Sequence, residues 1–215
     1  MTLPLRQKRN QETALQIQRT TLELVAQKGI EGVTTEEIAS ASGVSTRTFF
    51  NYYPNKEAAA VGHPPKFTEE DKEALRAGSG PIATDIKQML DRHIAVLSEQ
   101  EDILRMVGKV LGSNEKARGI LEGFLSAERH EITEALCGRV SNRQTAAALA
   151  IKATAAIGGA IMLWEHDEEM SLVAALDVIW DGMMDAARLL LSSAGNDLSL
   201  VPNAGALPSD RQPGR

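Results

Sequence analysis

The chain has 215 residues, 43% of them hydrophobic and only 4% aromatic, so it suits a folded globular protein whose apolar load falls on Ala, Leu and Met. Those residues favour helices. The formal net charge of −6 argues against a uniformly basic nucleic-acid binder, but the charge is uneven. Residues 1–66 carry 8 Lys/Arg against 6 Asp/Glu, and the remainder carries 15 against 23. A locally basic end can meet phosphates while the acidic remainder stays away from them.

The first ten residues, with Arg6, Lys8 and Arg9, form a basic leading arm. They contain no apolar run or cleavage pattern of a secretory signal. Residues 11–28 follow as a helix, because Ala14, Ile17, Thr21, Leu24 and Val25 recur at three- and four-residue spacing. Gly29 ends it.

Residues 34–57, TTEEIASASGVSTRTFFNYYPNKE, predict two short helices joined by a tight turn. Thr34 and Glu37 have capping-box spacing. Gly43 supplies the corner, Val44 plugs it, and Ser45 caps the next helix, which runs from Thr46 to about Tyr53. Ala39 permits close crossing of the two helices. Phe49 is expected to point inward with Ile38 and Val44. Thr46, Arg47 and Thr48 occupy the first turn of the second helix, and Asn51 lies one turn on. Arg can grip a guanine edge, Asn an adenine edge, and a Thr methyl can pack on thymine. The Tyr52 hydroxyl and the Lys56 ammonium suit backbone phosphates.

Over roughly residues 11–62, this segment resembles the DNA-binding domain of TetR-family transcriptional regulators. The resemblance rests on the helix ending in AQKG, the Thr-Thr start, IA, GVS, the paired aromatics and the YYPNKE stretch. The form STRTFFNYYPNKE is similar to that of actinobacterial-type members. Ser42 stands where Ala is more usual, and Arg47 where a small residue is usual. The resemblance implies an all-α homodimer with an N-terminal three-helix helix-turn-helix domain and a larger C-terminal helical domain for dimerisation and ligand binding. Its DNA contacts would be Thr35, Ser45, Thr46, Arg47, Asn51, Tyr52 and Lys56, to which the first-turn position of Thr48 adds one more. It further implies a repressor that a small molecule releases from a palindromic operator.

Gly62-His63-Pro64-Pro65 closes the DNA-binding region at 11–65. Residues 66–81 read as a connector that could pass movement to the DNA reader. Thr68 and Asp71 start its short helix, and Gly78-Ser79-Gly80-Pro81 break it. Residues 82–192 then read as helices throughout. Ile82, Ile86, Met89, Leu90, His93 and Leu97 form one stripe; Ile103, Met106, Val107 and Val110 form another. Leu121, Phe124, Leu125, Ile132 and Leu136 mark a further helix.

By resemblance, helices at about 142–164 and 171–191 pair with their mates in the dimer. Ala146, Ala150, Ala153, Ala156 and Ala160 would permit close approach, with Trp180 and Met183 adding contact area. Met89, His93, Met106, Phe124, Met162 and Trp164 are candidates for a cavity lining, His93 foremost because it is polar on an apolar stripe. Residues 145–164 approach a bilayer span in length, but Lys152 near their middle and the many alanines favour a buried helix. Residues 193–215 are rich in Gly, Pro and polar groups and read as a disordered tail.

The lone Cys137 cannot pair internally, which fits a cytoplasmic protein. His130 and His166 lack metal-ligand spacing. No nucleophile–base set, phosphate loop or cofactor motif is present, so neither an enzyme nor a cofactor is expected. A helical protein-binding adaptor is the alternative reading, with an all-helical enzyme behind it.

Overall fold

The computed structural model describes residues 5–167 and 169–197. These form ten α-helices and no strand. The first four are α1 (Leu5–Lys28), α2 (Thr35–Ala41), α3 (Thr46–Tyr52) and α4 (Lys56–Val61). They are followed by α5 (Glu69–Ala77), α6 (Ile82–Ser98), α7 (Glu101–Ser113), α8 (Glu115–Leu136), α9 (Arg143–His166) and α10 (Leu172–Asp197).

The basic segment at the N-terminus is helical from Leu5, so Arg6, Lys8 and Arg9 stand on the first turns of α1. At the other end, α10 runs through Asp197, past Ser193 where a disordered tail was expected to start. The rest of that expected tail, from residue 198, lies outside the described residues.

Side-chain caps set most helix starts. Thr34 and Glu37 exchange both capping-box bonds at α2, and Thr68 and Asp71 do so at α5. Ser45, Asn55, Asn114 and Asn142 each accept a backbone N–H at α3, α4, α8 and α9. Such a cap contributes about 1 kcal/mol by satisfying a donor that the helix itself cannot. Gly43 turns the chain between α2 and α3 at φ 70°, a conformation that costs glycine little.

Three apolar clusters hold the chain together. The first joins α1 to α4 through Ile17, Val33, Ile38, Ala39, Phe49, Tyr53 and Ala59. The second carries Leu22, Ala60 and Val61 of α1 and α4 against Ile103 and Val110 of α7 and Ala117 of α8. The third is the large core of α5, α6, α8, α9 and α10, including Met89, Leu90, Ile94, Ile132 and Trp164.

The second cluster is the structural joint. Arg19 pairs with Asp102 at 3.1 Å across α1 and α7, and Lys116 pairs with the buried Glu57 at 3.0 Å across α8 and α4. The connector 66–81 lies elsewhere: its helix α5 packs on α6 and α8. Arg139 clamps its far end by donating to the carbonyl oxygens of Leu75 at 3.1 Å and Gly80 at 2.8 Å and pairing with Asp85 at 2.6 Å. The first four helices thus meet the rest of the chain through α7 and α8.

Helix α9 is long and apolar enough to cross a membrane by length and composition. Its packing gives another account of its apolarity. Ala146, Ala150, Ala153, Ala156 and Ala160 are all buried in the core of the subunit. They let α9 approach its own neighbours α8 and α10, which corrects their expected place on a dimer face. The outward side of α9 instead carries Ala148, Ile151, Ala155, Gly158 and Met162.

Candidate nucleic-acid interface and ligand cavity

The candidate nucleic-acid interface is built on α3. Phe49 is fully buried, stacks edge-on against Phe50 with centroids 5.4 Å apart, and anchors the helix to Ile38 and Val44. Tyr53, immediately after α3, is also buried, and its hydroxyl donates to the Ala14 carbonyl oxygen at 3.1 Å. Burial pushes that phenol up to about 12. These two rings fix one side of α3 and turn its other side outward.

On that outward side, Arg47 and Asn51 are exposed, and Thr46 and Tyr52 are half-buried. Among the described residues, the Arg47 and Asn51 side chains have no hydrogen-bond or ion-pair partner. Both are therefore free to meet an external surface without first breaking a contact. Ser45 and Thr48 are tied to each other: the Thr48 N–H donates to Ser45 Oγ at 3.0 Å, and the two hydroxyls lie 2.8 Å apart. Their first task is to start the helix. Thr35 is half-buried and donates to Glu36 at 3.2 Å. Lys56 turns back to donate to the Val33 carbonyl oxygen at 3.2 Å and lies 3.8 Å from Glu31. Its ammonium must swing away from that carbonyl to reach a phosphate.

Beside Tyr52, a groove is lined by Arg6, Gln7, Arg9, Asn10 and Thr13 of α1. Arg6, Arg9, Asn10 and Thr13 have the spacing of one helix face, so the basic side of α1 continues the surface of α3.

A second cavity, of about 350 Å³, lies within the helices beyond that interface. Apolar side chains of α6, α7, α8 and α9 form most of its wall, including Leu97, Val107, Leu121, Leu125 and Ile161. Of the six expected lining residues, His93 and Phe124 are there. Met89 is instead buried in the large core, and Met106 packs in the joint cluster. Trp164 is buried under the Arg105 guanidinium, 3.9 Å above its ring. Met162 points outward and is 63% exposed. Helical spacing identifies an apolar face but does not say which neighbour that face meets.

The polar side chains of the cavity are His93, Gln18, Glu128 and Thr154, with His63, Lys66 and Gln100 exposed. His93 packs at a tilt against Phe67 with centroids 4.4 Å apart, and burial brings its imidazole down to about 4, so the ring is neutral at neutral pH. His63 stacks on Tyr53 at 4.8 Å, linking the cavity wall to the residue that ends α3. Burial lowers its basicity too. Gln18, His63 and Glu128 were not anticipated as site residues. The signal for Gln18 was the one used for His93: it is a polar residue within the buried Ala14, Ile17, Thr21 face. Glu128 likewise lies four residues from both Phe124 and Ile132 on α8.

The sequence profile described as "Bacterial regulatory proteins, tetR family" matches residues 17–58. That range spans the second half of α1, all of α2 and α3, and the start of α4. None of the curated protein sequences compared with the chain matches it. Among solved structures, the chain is similar to a candidate fatty acid metabolism regulator of Clostridium perfringens, at 18% identity and a TM-score of 0.56. That match covers 79% of this chain and 97% of the other. The FadR transcriptional regulator of Bacillus subtilis in complex with stearoyl-CoA matches at 19% identity and a TM-score of 0.47, over 78% of this chain and 95% of the other. Thermus thermophilus FadR, a TetR-family repressor in complex with lauroyl-CoA, matches at 20% identity and a TM-score of 0.41, over 92% and 100%. The Clostridium perfringens match shows a shared fold.

Proposed function

We propose that the chain, whose residues 17–58 match the TetR family of bacterial regulatory proteins, is a ligand-responsive repressor that binds a palindromic operator as a homodimer. The observation that carries the reading is the α3 surface. Two buried rings hold the helix, and Arg47 and Asn51 project from it without internal partners. That arrangement suits insertion into a major groove. The α1 face with Arg6 and Arg9 supplies charge for the flanking phosphates.

Two features support the dimer. Ile151 and Met162 on α9, and Val173, Val178, Leu189, Leu190 and Leu191 on α10, are exposed apolar side chains on two adjacent helices. Covering such a face with its own copy removes it from water. A two-fold dimer also places two recognition helices on successive major grooves about 34 Å apart.

The cavity is the proposed effector site, because its wall meets α1 at Gln18 and the end of α4 at Val61. A ligand that favours one arrangement of that joint shifts the dimer between DNA-matched and mismatched geometries. The protein would act in the bacterial cytoplasm, where its operator lies. It is read as a regulator and not as an enzyme because of that family match.

A gel shift with duplex DNA from upstream of its own gene tests this reading. Wild type should retard the duplex, with affinity falling steeply as salt rises. Arg47→Ala and Tyr52→Phe should both weaken the complex. Failure of wild type to bind any such duplex would favour the adaptor reading instead.

A further inference from the structure

The cavity wall is mostly apolar, and two of its buried polar side chains present acceptors. Glu128 is only 8% exposed, forms no ion pair, and accepts the Phe67 N–H through Oε2 at 3.1 Å, leaving Oε1 without a hydrogen bond. Gln18 commits its amide N–H to the carbonyl oxygens of Val61 at 3.0 Å and Ala60 at 3.4 Å, leaving its own carbonyl oxygen as an acceptor. Neither ring nitrogen of His93 has a hydrogen-bond partner among the described residues. The one Lys or Arg in the lining is Lys66, which is exposed. Glu128 and Gln18 therefore offer acceptors to the interior, and no Lys or Arg of the lining is buried; the buried Lys72 acts on Glu128 from outside the lining and is already paired with Glu69 and Glu131.

An ionised carboxylate brought into that interior would lose its water and meet Glu128, with no buried cation in the lining to pair with it. A hydroxyl group has the opposite fit, because it donates to Glu128 or Gln18 while its hydrocarbon body packs on the apolar wall. His93 stays neutral in this setting and cannot serve as the missing cation at neutral pH.

We propose that this cavity binds an uncharged apolar molecule carrying a hydroxyl group, of the long-chain alcohol type, and discriminates against the corresponding carboxylate. This deepens the reading of the cavity as an effector site and rests on it only for the effect on DNA. A molecule of this type needs no counter-ion inside the protein. Its hydroxyl places a donor next to Gln18, whose amide holds the last carbonyls of α4. Occupancy and the α1–α4 joint are then linked through one side chain.

Isothermal titration of the full chain at neutral pH with decanol, methyl decanoate and decanoate tests the proposal. Decanol should bind best, methyl decanoate less well because it donates no hydrogen bond, and decanoate at least about tenfold more weakly than decanol. Glu128→Gln should narrow the gap between decanoate and decanol. Leu125→Trp, which fills the cavity, should abolish decanol binding. The ranking on wild type decides the matter even where Glu128→Gln fails to fold. Decanoate binding as tightly as decanol, no binding of any of the three, or decanol binding that survives Leu125→Trp overturns the proposal. A gel shift without these compounds separately tests the regulator reading, so the two can fail independently.

Discussion

The amide of Gln18 donates to the carbonyl oxygen of Val61 at 3.0 Å, so a side chain of α1 closes the C-terminal end of α4. Gly62 follows at φ 73° with its backbone pressed against that same amide, so a Cβ there would collide with Gln18. Replacing Gln18 by Leu should leave the α4 carbonyls without their donor and cost about 1–3 kcal/mol. Urea unfolding followed by circular dichroism would measure it. A midpoint equal to that of wild type would show that the contact contributes no stability.

Arg47→Ala should cost about 1–3 kcal/mol of discrimination at one operator position, because a bidentate Arg–guanine contact carries that much. Removing Arg9 should instead weaken binding to all duplexes alike and lower the salt slope by about one phosphate. Titrations of each variant against cognate and scrambled DNA at several salt concentrations separate the two roles. Equal loss on both DNAs for Arg47→Ala would remove it from base reading.

Acid should destabilise the protein earlier than its carboxylates alone would require. His93 has a folded value of about 4 against an ordinary value of 6.5, lowered by burial. Between those values the unfolded chain binds the extra proton, so stability rises with pH across that window and is level above it. The loss on acidification should reach up to about 3 kcal/mol, with His63 adding in the same direction. His93→Phe should flatten the pH dependence of the urea midpoint over this range. An unchanged profile would count against a buried neutral imidazole.

Ile151→Asp should dissociate the proposed dimer. Ile151 is 53% exposed on the outer side of α9, and two-fold symmetry brings each substitution to the interface twice. With about 1.5–3 kcal/mol per buried aliphatic side chain, association should weaken by about a hundredfold or more. Sedimentation would show monomer in place of dimer, with helical content unchanged. An unaltered sedimentation coefficient would place the interface elsewhere.

The local features were legible because they depend on near neighbours in the chain. The Thr34–Glu37 and Thr68–Asp71 capping boxes, the Gly43 corner, the Ser45 cap and the inward Phe49 all follow from spacing and residue type. So did the all-helical class and the basic end. The sequence by itself determined that α3 would be a supported helix with Arg47 and Asn51 turned outward.

Only the tertiary structure decided which apolar face meets which neighbour. The resemblance put Ala150 and Ala153 on a dimer face, but they pack inside the subunit, while Met162 lies outside. Met89 and Trp164, candidates for a cavity lining, fill the core instead. Gln18 and Glu128, far apart in the chain, reach one cavity because α1 and α8 converge on α4. Helical spacing encodes one face of one helix. The partner of that face depends on how all the helices pack, and a single helix's spacing does not contain it.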